Sequence, residues 1–159
     1  MKFLFIGDIV GRPGRKAVQS ILPELKKKKN YDLVIANAEN LTHGKGASEK
    51  DIYVMREAGI DFFTSGNHIW RHKSLLARMN DADFPVIRPA NYPKTNPGRG
   101  YKILEVQGKR VLIINMMGRV FMGIHTNCPF ETADQILDEV KNETLHAIII
   151  DFHAEVTSE

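Results

Sequence analysis

Four short apolar runs in this chain each lead into side chains that bind metals or move protons. Phe3-Leu4-Phe5-Ile6 leads into Gly7-Asp8, and Leu33-Val34-Ile35-Ala36 leads into Asn37-Ala38-Glu39-Asn40. Asp61-Phe62-Phe63-Thr64 leads into Gly66-Asn67-His68, and the run from Ala147 to Phe152 carries Asp151 and is followed by His153. Continuous apolar runs of this length suit strands buried on both faces. The segments between them have helical periodicity. Val18, Ile21, Leu22 and Leu25 recur at i, i+3, i+4 and i+7, with Pro23 predicting a kink or restart. Residues from about Ser48 to Ala58 form a second predicted helix, with Ser48 as its N-cap. His72 to Met79 is a short third, followed by a brief strand at Val86-Ile87. Strands alternating with helices imply βαβ units and a largely parallel sheet. Ligands of such sheets bind outside the carboxyl ends of the strands, which is where the polar residues cluster here.

The later sequence adds a different pattern. Arg88 to Gly100 holds three prolines and two glycines and reads as a loop. Tyr101 to Val106 and Arg110 to Asn115 read as an antiparallel hairpin around Gln107-Gly108-Lys109. This pattern leaves open whether the hairpin joins the main sheet or a second one. A helix through Ala133, Ile136, Leu137 and Val140 is predicted to start at a Thr132-x-x-Gln135 capping box. No internal repeat, low-complexity segment or linker interrupts the 159 residues, so the expectation is one domain.

Composition excludes several classes. With 43% apolar residues and a net charge of +3, the chain is no disordered segment, and the charge is too small to argue for nucleic acid alone. The single cysteine, Cys128, has no partner within the chain, which fits a reducing, cytoplasmic setting. No apolar run approaches the ~20 residues of a membrane span, and Asp8 interrupts the apolar start, which reads as a buried strand rather than a signal peptide. Lys26 to Lys29 complement the dipole of the first helix as a solvated C-terminus.

Asp8, Glu39-Asn40, Asn67-His68 and either Asp151 or His153 make an oxygen-and-nitrogen ligand set suited to Mn, Fe or Zn. A carboxylate between two ions can bridge them, and two ions about 3.5–4 Å apart can hold both the attacking and leaving oxygens of a phosphoryl displacement. Each piece alone also fits a turn, a cap or a core histidine. Arg12, Arg88 and Arg119 are candidate phosphate clamps, because guanidinium matches phosphate oxygens. His43 reads as a solvated loop residue and Trp70 as packing. Met116-Met117 and Phe121-Met122 read as core or a subunit contact.

The ordered runs GDIVGRPGR, AENLTHGKG, GNHIW, VIRPANYP and DFHAEVTSE resemble the calcineurin-like metallophosphoesterases, in the YmdB-like branch of 2′,3′-cyclic nucleotide phosphodiesterases. The resemblance covers the whole chain. It implies a four-layer αββα fold and two divalent ions, iron or manganese. Asp8, Glu39, Asn40, Asn67 and His153 are the implied metal ligands, with Glu39 bridging and His68 donating a proton to the leaving oxygen. The implied reaction is attack of a metal-bridging hydroxide on a small phosphodiester or cyclic nucleotide. Asn40 stands in for a histidine that the wider superfamily places where this chain has Val10. A soluble homo-oligomer away from membranes is the matching expectation.

Relatives in this branch carry a further Gly-x-His-x-His element, and this chain ends at Glu159 before it. The expectation is therefore a fold incomplete at its C-terminal end, a dinuclear site two ligands short, weak metal binding and little activity. Two other readings stay open. One is a regulatory or binding protein that keeps the fold without turnover. The other is a nucleotide-binding module built on Gly7, Gly11 and Gly14, although their spacing is wrong for a dinucleotide loop.

Overall fold

The computed structural model describes all residues from Met1 to Glu159, in two compact units, Met1–Val86 and Ile87–Glu159. The first unit contains β1 (Phe3–Asp8), α1 (Gly11–Lys29), β2 (Leu33–Asn37), α2 (Glu49–Glu57) and β3 (Phe62–Thr64). A single turn of 3₁₀ helix at Ile69–Arg71 and α3 (Lys73–Leu76) follow. The strands pair β1-β2-β3, all parallel, as the βαβ pattern requires. The central strand β2 is buried along its whole length, which explains its uninterrupted apolar sequence. Helix residues Leu22, Ile52, Met55 and Leu75 close the core against Phe63 and Val34. Each such side chain contributes about 1.5–3 kcal/mol by leaving water. The brief strand expected at Val86 is one bridge to Phe63.

Helix α1 continues through Pro23, so the expected restart does not occur. Pro23 and Gln19 both lie on the exposed face. The Gln19 carbonyl, which loses its helical donor to the proline ring, can therefore turn to water. The helix closes on Asn30 in the left-handed region, with its N–H donating to the Lys26 carbonyl at 3.0 Å. Lys26 is less solvated than its neighbours, because its Nζ donates to the Gly59 carbonyl at 2.7 Å.

The second unit contains β4 (Tyr101–Val106), β5 (Lys109–Met117), α4 (Pro129–Glu139) and β6 (Ala147–His153). Its sheet is separate, in the order β4-β5-β6, with an antiparallel pair followed by a parallel one. The hairpin thus belongs to a second sheet. Its turn is tighter than expected. Lys109 pairs with Val106, and Gln107 and Gly108 turn the chain at φ 51° and 71°. Two successive positive φ values match the twist of the flanking strands.

Helix α4 begins at Pro129, earlier than the capping box expected at Thr132. Proline's fixed φ favours the first helical position. Thr132 then lies inside the helix, where its hydroxyl donates to the Cys128 carbonyl at 2.9 Å. The loop before β4 is pinned by buried Asn91. Its Nδ2 donates to the Met117 carbonyl at 2.7 Å and its Oδ1 accepts the Met117 N–H at 3.0 Å. No helix is long and apolar enough to cross a membrane.

Candidate metal centre

Asp8 reaches its place through an irregularity in β1. The register with β2 shifts between Ile6 and Asp8, so Asp8 rather than Gly7 lies beside Asn37. Such a bulge re-aims a side chain at a strand end. The Asp8 carboxylate accepts from the Asn40 backbone N–H at 3.2 Å and from the Asn40 amide Nδ2 at 2.5 Å.

Glu39 and Asn40 sit on the loop that leaves β2. Asn37 folds the chain there, its Oδ1 accepting the Glu39 N–H at 2.8 Å. The far side of the loop is clamped by Thr42. The Thr42 hydroxyl accepts the Ser48 N–H at 2.8 Å and donates to Asp51 at 2.5 Å, and Arg15 pairs with Asp51 at 3.4 Å. Arg15 also donates to the Leu41 carbonyl. Gly46 closes the loop with its N–H on the Glu39 carbonyl at 2.6 Å. It stands at φ +74°, and a Cβ there would meet the His68 carbonyl at 2.7 Å, so only glycine fits.

The Glu39 side chain is fully buried. Its Oε1 accepts the His68 backbone N–H at 2.9 Å and lies 2.7 Å from His68 Nδ1. Asn40 Oδ1 lies 3.2 Å from the same nitrogen. Burial pushes the Glu39 carboxyl up to about 8, helped by the Asp8 charge and opposed by the backbone N–H groups of His68, Gly66 and Asn67. Thus Asp8, Glu39, Asn40 and His68 converge, and Asn67 joins them through its backbone. His153 belongs to the other unit, where it ends β6 opposite Met117 and its carbonyl accepts the Gly118 N–H at 2.9 Å. Asp151 lies opposite Asn115, two residues earlier on the same strand.

No three His, Cys, Asp or Glu side chains are placed to share an ion, yet the Asp8 and Glu39 carboxylates and the Asn40 carboxamide are donors of the kind divalent ions accept. Two carboxylates close enough for one to raise the other are destabilised as anions, and a cation relieves that repulsion. Carboxylate, carboxamide and imidazole are the donors that iron and manganese accept.

Of the candidate phosphate clamps, Arg12 and Arg119 are exposed and Arg88 is buried. Trp70 packs against the core of the first unit, and His43 is exposed in its loop. Met116 and Met117 are buried in β5, whereas Phe121 is 87% exposed. Sequence reading missed the Arg15, Thr42 and Asp51 clamp and the role of Gly46. The only signal was a glycine close after two ligand-type residues.

Comparison with solved structures gives the chain a metallophosphoesterase-type fold. Among solved structures, Haemophilus influenzae NAD nucleotidase shares that fold at a TM-score of 0.64 and 21% identity, over 95% of this chain and 34% of its own. More specifically, the chain belongs to the family of YmdB-like proteins, whose model matches residues 4–159. It is 42% identical, over its full length, to 2′,3′-cyclic-nucleotide 2′-phosphodiesterase of Bacillus subtilis. The structure of a hypothetical protein from Thermus thermophilus aligns at a TM-score of 0.91 and 43% identity, over all of this chain and 60% of that one. A phosphatase structure from Mycoplasma pneumoniae aligns at 0.88 and 37%, over 99% of this chain and 57% of that one. The chain spans 59% of the length of the Bacillus relative.

Proposed function

We propose that the protein is a metal-dependent phosphodiesterase acting on small phosphodiesters such as 2′,3′-cyclic nucleotides. The observation that carries this reading is the buried Glu39 carboxylate, 2.7 Å from His68 Nδ1, in one cluster with Asp8 and Asn40. The phosphodiesterase and phosphatase names of its relatives support it. Asp8, Glu39, Asn40 and Asn67 would be metal ligands from the first unit, for iron or manganese, and the family resemblance gives His153 the same role. Bound there, the ions supply Lewis acidity toward phosphate oxygens and a nucleophile at neutral pH.

The chain's own residues do the rest. Glu39 and Asn40 engage Nδ1 of His68 and so fix the ring's orientation. Water adds to phosphorus and releases a proton to solvent, one P–O ester bond breaks, and the leaving ribose oxygen takes a proton from His68, which solvent then restores. The chain's modest charge favours a small nucleotide over a polymer, and its lone thiol favours the cytoplasm.

The test is to strip the protein with a chelator, reload it with Mn²⁺ or Fe²⁺, count ions by elemental mass spectrometry and assay 2′,3′-cyclic AMP. His68→Ala should lower kcat by about 10²–10⁴-fold at unchanged metal content. Turnover that survives chelation, or a His68→Ala rate equal to wild type, would overturn the reading.

A further inference from the structure

Arg88 is a buried arginine with no carboxylate beside it. It is 5% exposed, its Nη1 donates to the Pro89 and Ala90 carbonyls at 2.8 and 3.1 Å, and its Nε–H is enclosed without an acceptor. None of the ion pairs in the protein includes it. A guanidinium stays charged at neutral pH. Burial pulls its pKa below the ordinary value, the signature of a cation offset by no counter-charge.

The same side chain lines a cavity of about 250 Å³ that lies wholly within the second unit. Arg99 and Lys94 also line it, with a single carboxylate, Glu139, in the wall. That carboxylate is already engaged on the rim, accepting from the Tyr101 hydroxyl at 2.8 Å and lying 3.8 Å from Lys94 Nζ. Glycine at position 100 keeps the wall thin, since a Cβ there would collide with Ala90. Ala90 and Ile136 supply apolar wall beside the cations.

We propose that this cavity is an oxyanion site for a small phosphate monoester, with Arg88 as its principal donor and Arg99 and Lys94 completing the positive wall. A guanidinium that lines the cavity with no carboxylate paired to it gains charge-assisted hydrogen bonds when a phosphate arrives. Guanidinium geometry suits phosphate better than a lysine would. The cavity exceeds a bare tetrahedral anion, and its apolar wall accommodates a short carbon skeleton. All of its lining residues lie in the second unit, and it needs no metal.

The test uses the whole chain in EDTA, so that phosphate cannot report on metal. Arginine Nε–H resonances are followed in ¹H–¹⁵N spectra during titration with inorganic phosphate and, separately, with glycerol 3-phosphate. One Nε–H should shift with either ligand, and the tighter of the two identifies the source as free phosphate or an organic phosphate. Arg88→Met should remove that resonance and weaken binding by about tenfold or more. Arg99→Gln, at the rim, keeps the test readable should Arg88→Met misfold, and should weaken binding about threefold. No resonance shift at millimolar phosphate, or affinity unchanged in Arg99→Gln and in folded Arg88→Met, would overturn the proposal.

Discussion

Each unit of the protein buries one side chain of the acidic or basic kind, an acid in the first and a base in the second. Met1–Val86 buries Glu39, and Ile87–Glu159 buries Arg88. Both stand on loops rather than in strands. Both are held largely by backbone dipoles, Glu39 by N–H groups and Arg88 by carbonyls. They differ in company. Glu39 shares its cluster with a second carboxylate and a histidine, whereas Arg88 faces a cavity whose other charges are mostly positive. The charged form of a buried group is stabilised by an ion of the opposite sign. On the readings proposed above, the first unit would take a cation and the second an anion, by the same physical reasoning.

The strongest way to break the comparison is Glu39→Gln. It keeps the shape and removes the charge, so metal uptake measured by elemental mass spectrometry should fall to background. Retained metal would mean that Glu39 is a structural carboxylate. Next in size is a pH effect on the chelated protein. A folded-state pKa raised from 4.5 to about 8 gives stability that is present below pH 4.5 and lost as pH rises through about 8. The melting temperature in EDTA should therefore fall between pH 5 and pH 9 by an amount equivalent to a few kcal/mol, and Glu39→Gln should flatten the curve. Saturating Mn²⁺ should reverse the sign, since metal competes with the proton.

Asn91→Ala probes the second unit instead. It strips partners from both the N–H and the carbonyl of Met117 and should cost about 3 kcal/mol in urea unfolding. Because the two units have separate cores, the circular-dichroism transition should move more than the fluorescence of Trp70, which reports on the first unit. Coincident shifts would show that the two units unfold as one. The smallest effect is expected from Ser48→Ala. It removes the hydroxyl that accepts the Asp51 N–H at 3.2 Å and should cost about 1 kcal/mol, read at Trp70.

The parallel half of the fold was legible because a strand buried on both faces has to be apolar throughout, and β2 is. The Ser48 cap was legible for a similar reason, since few residues other than serine, threonine, asparagine and aspartate satisfy an exposed helix start. The start of α4 was misread because Thr132-x-x-Gln135 imitates a capping box, while Pro129 carried the stronger positional constraint. Pro23 left a restart open, because whether a helix continues through proline depends on which face meets water, a property of the tertiary structure. In the candidate site, residue types and strand-end positions were readable for Asp8, Glu39, Asn40 and His68. The clamp of Arg15, Thr42 and Asp51 was not, since its members stand far apart in sequence and meet only when the loop closes. Arg88 was readable as a phosphate-type residue, but its burial was not.

The turn at Gln107 and Gly108 also bears on how the chain gets to its structure. With both residues already at positive φ, β4 and β5 can zip outward from the turn through contacts that are short in sequence. Hairpins close on the microsecond scale. By contrast, β1, β2 and β3 pair only after the chain has spanned α1 and α2, and each crossover carries a loop-closure cost before any ladder bond forms. The hairpin of the second unit is thus the expected seed, and the parallel sheet that carries Asp8, Glu39 and Asn40 at its strand ends is expected to form later.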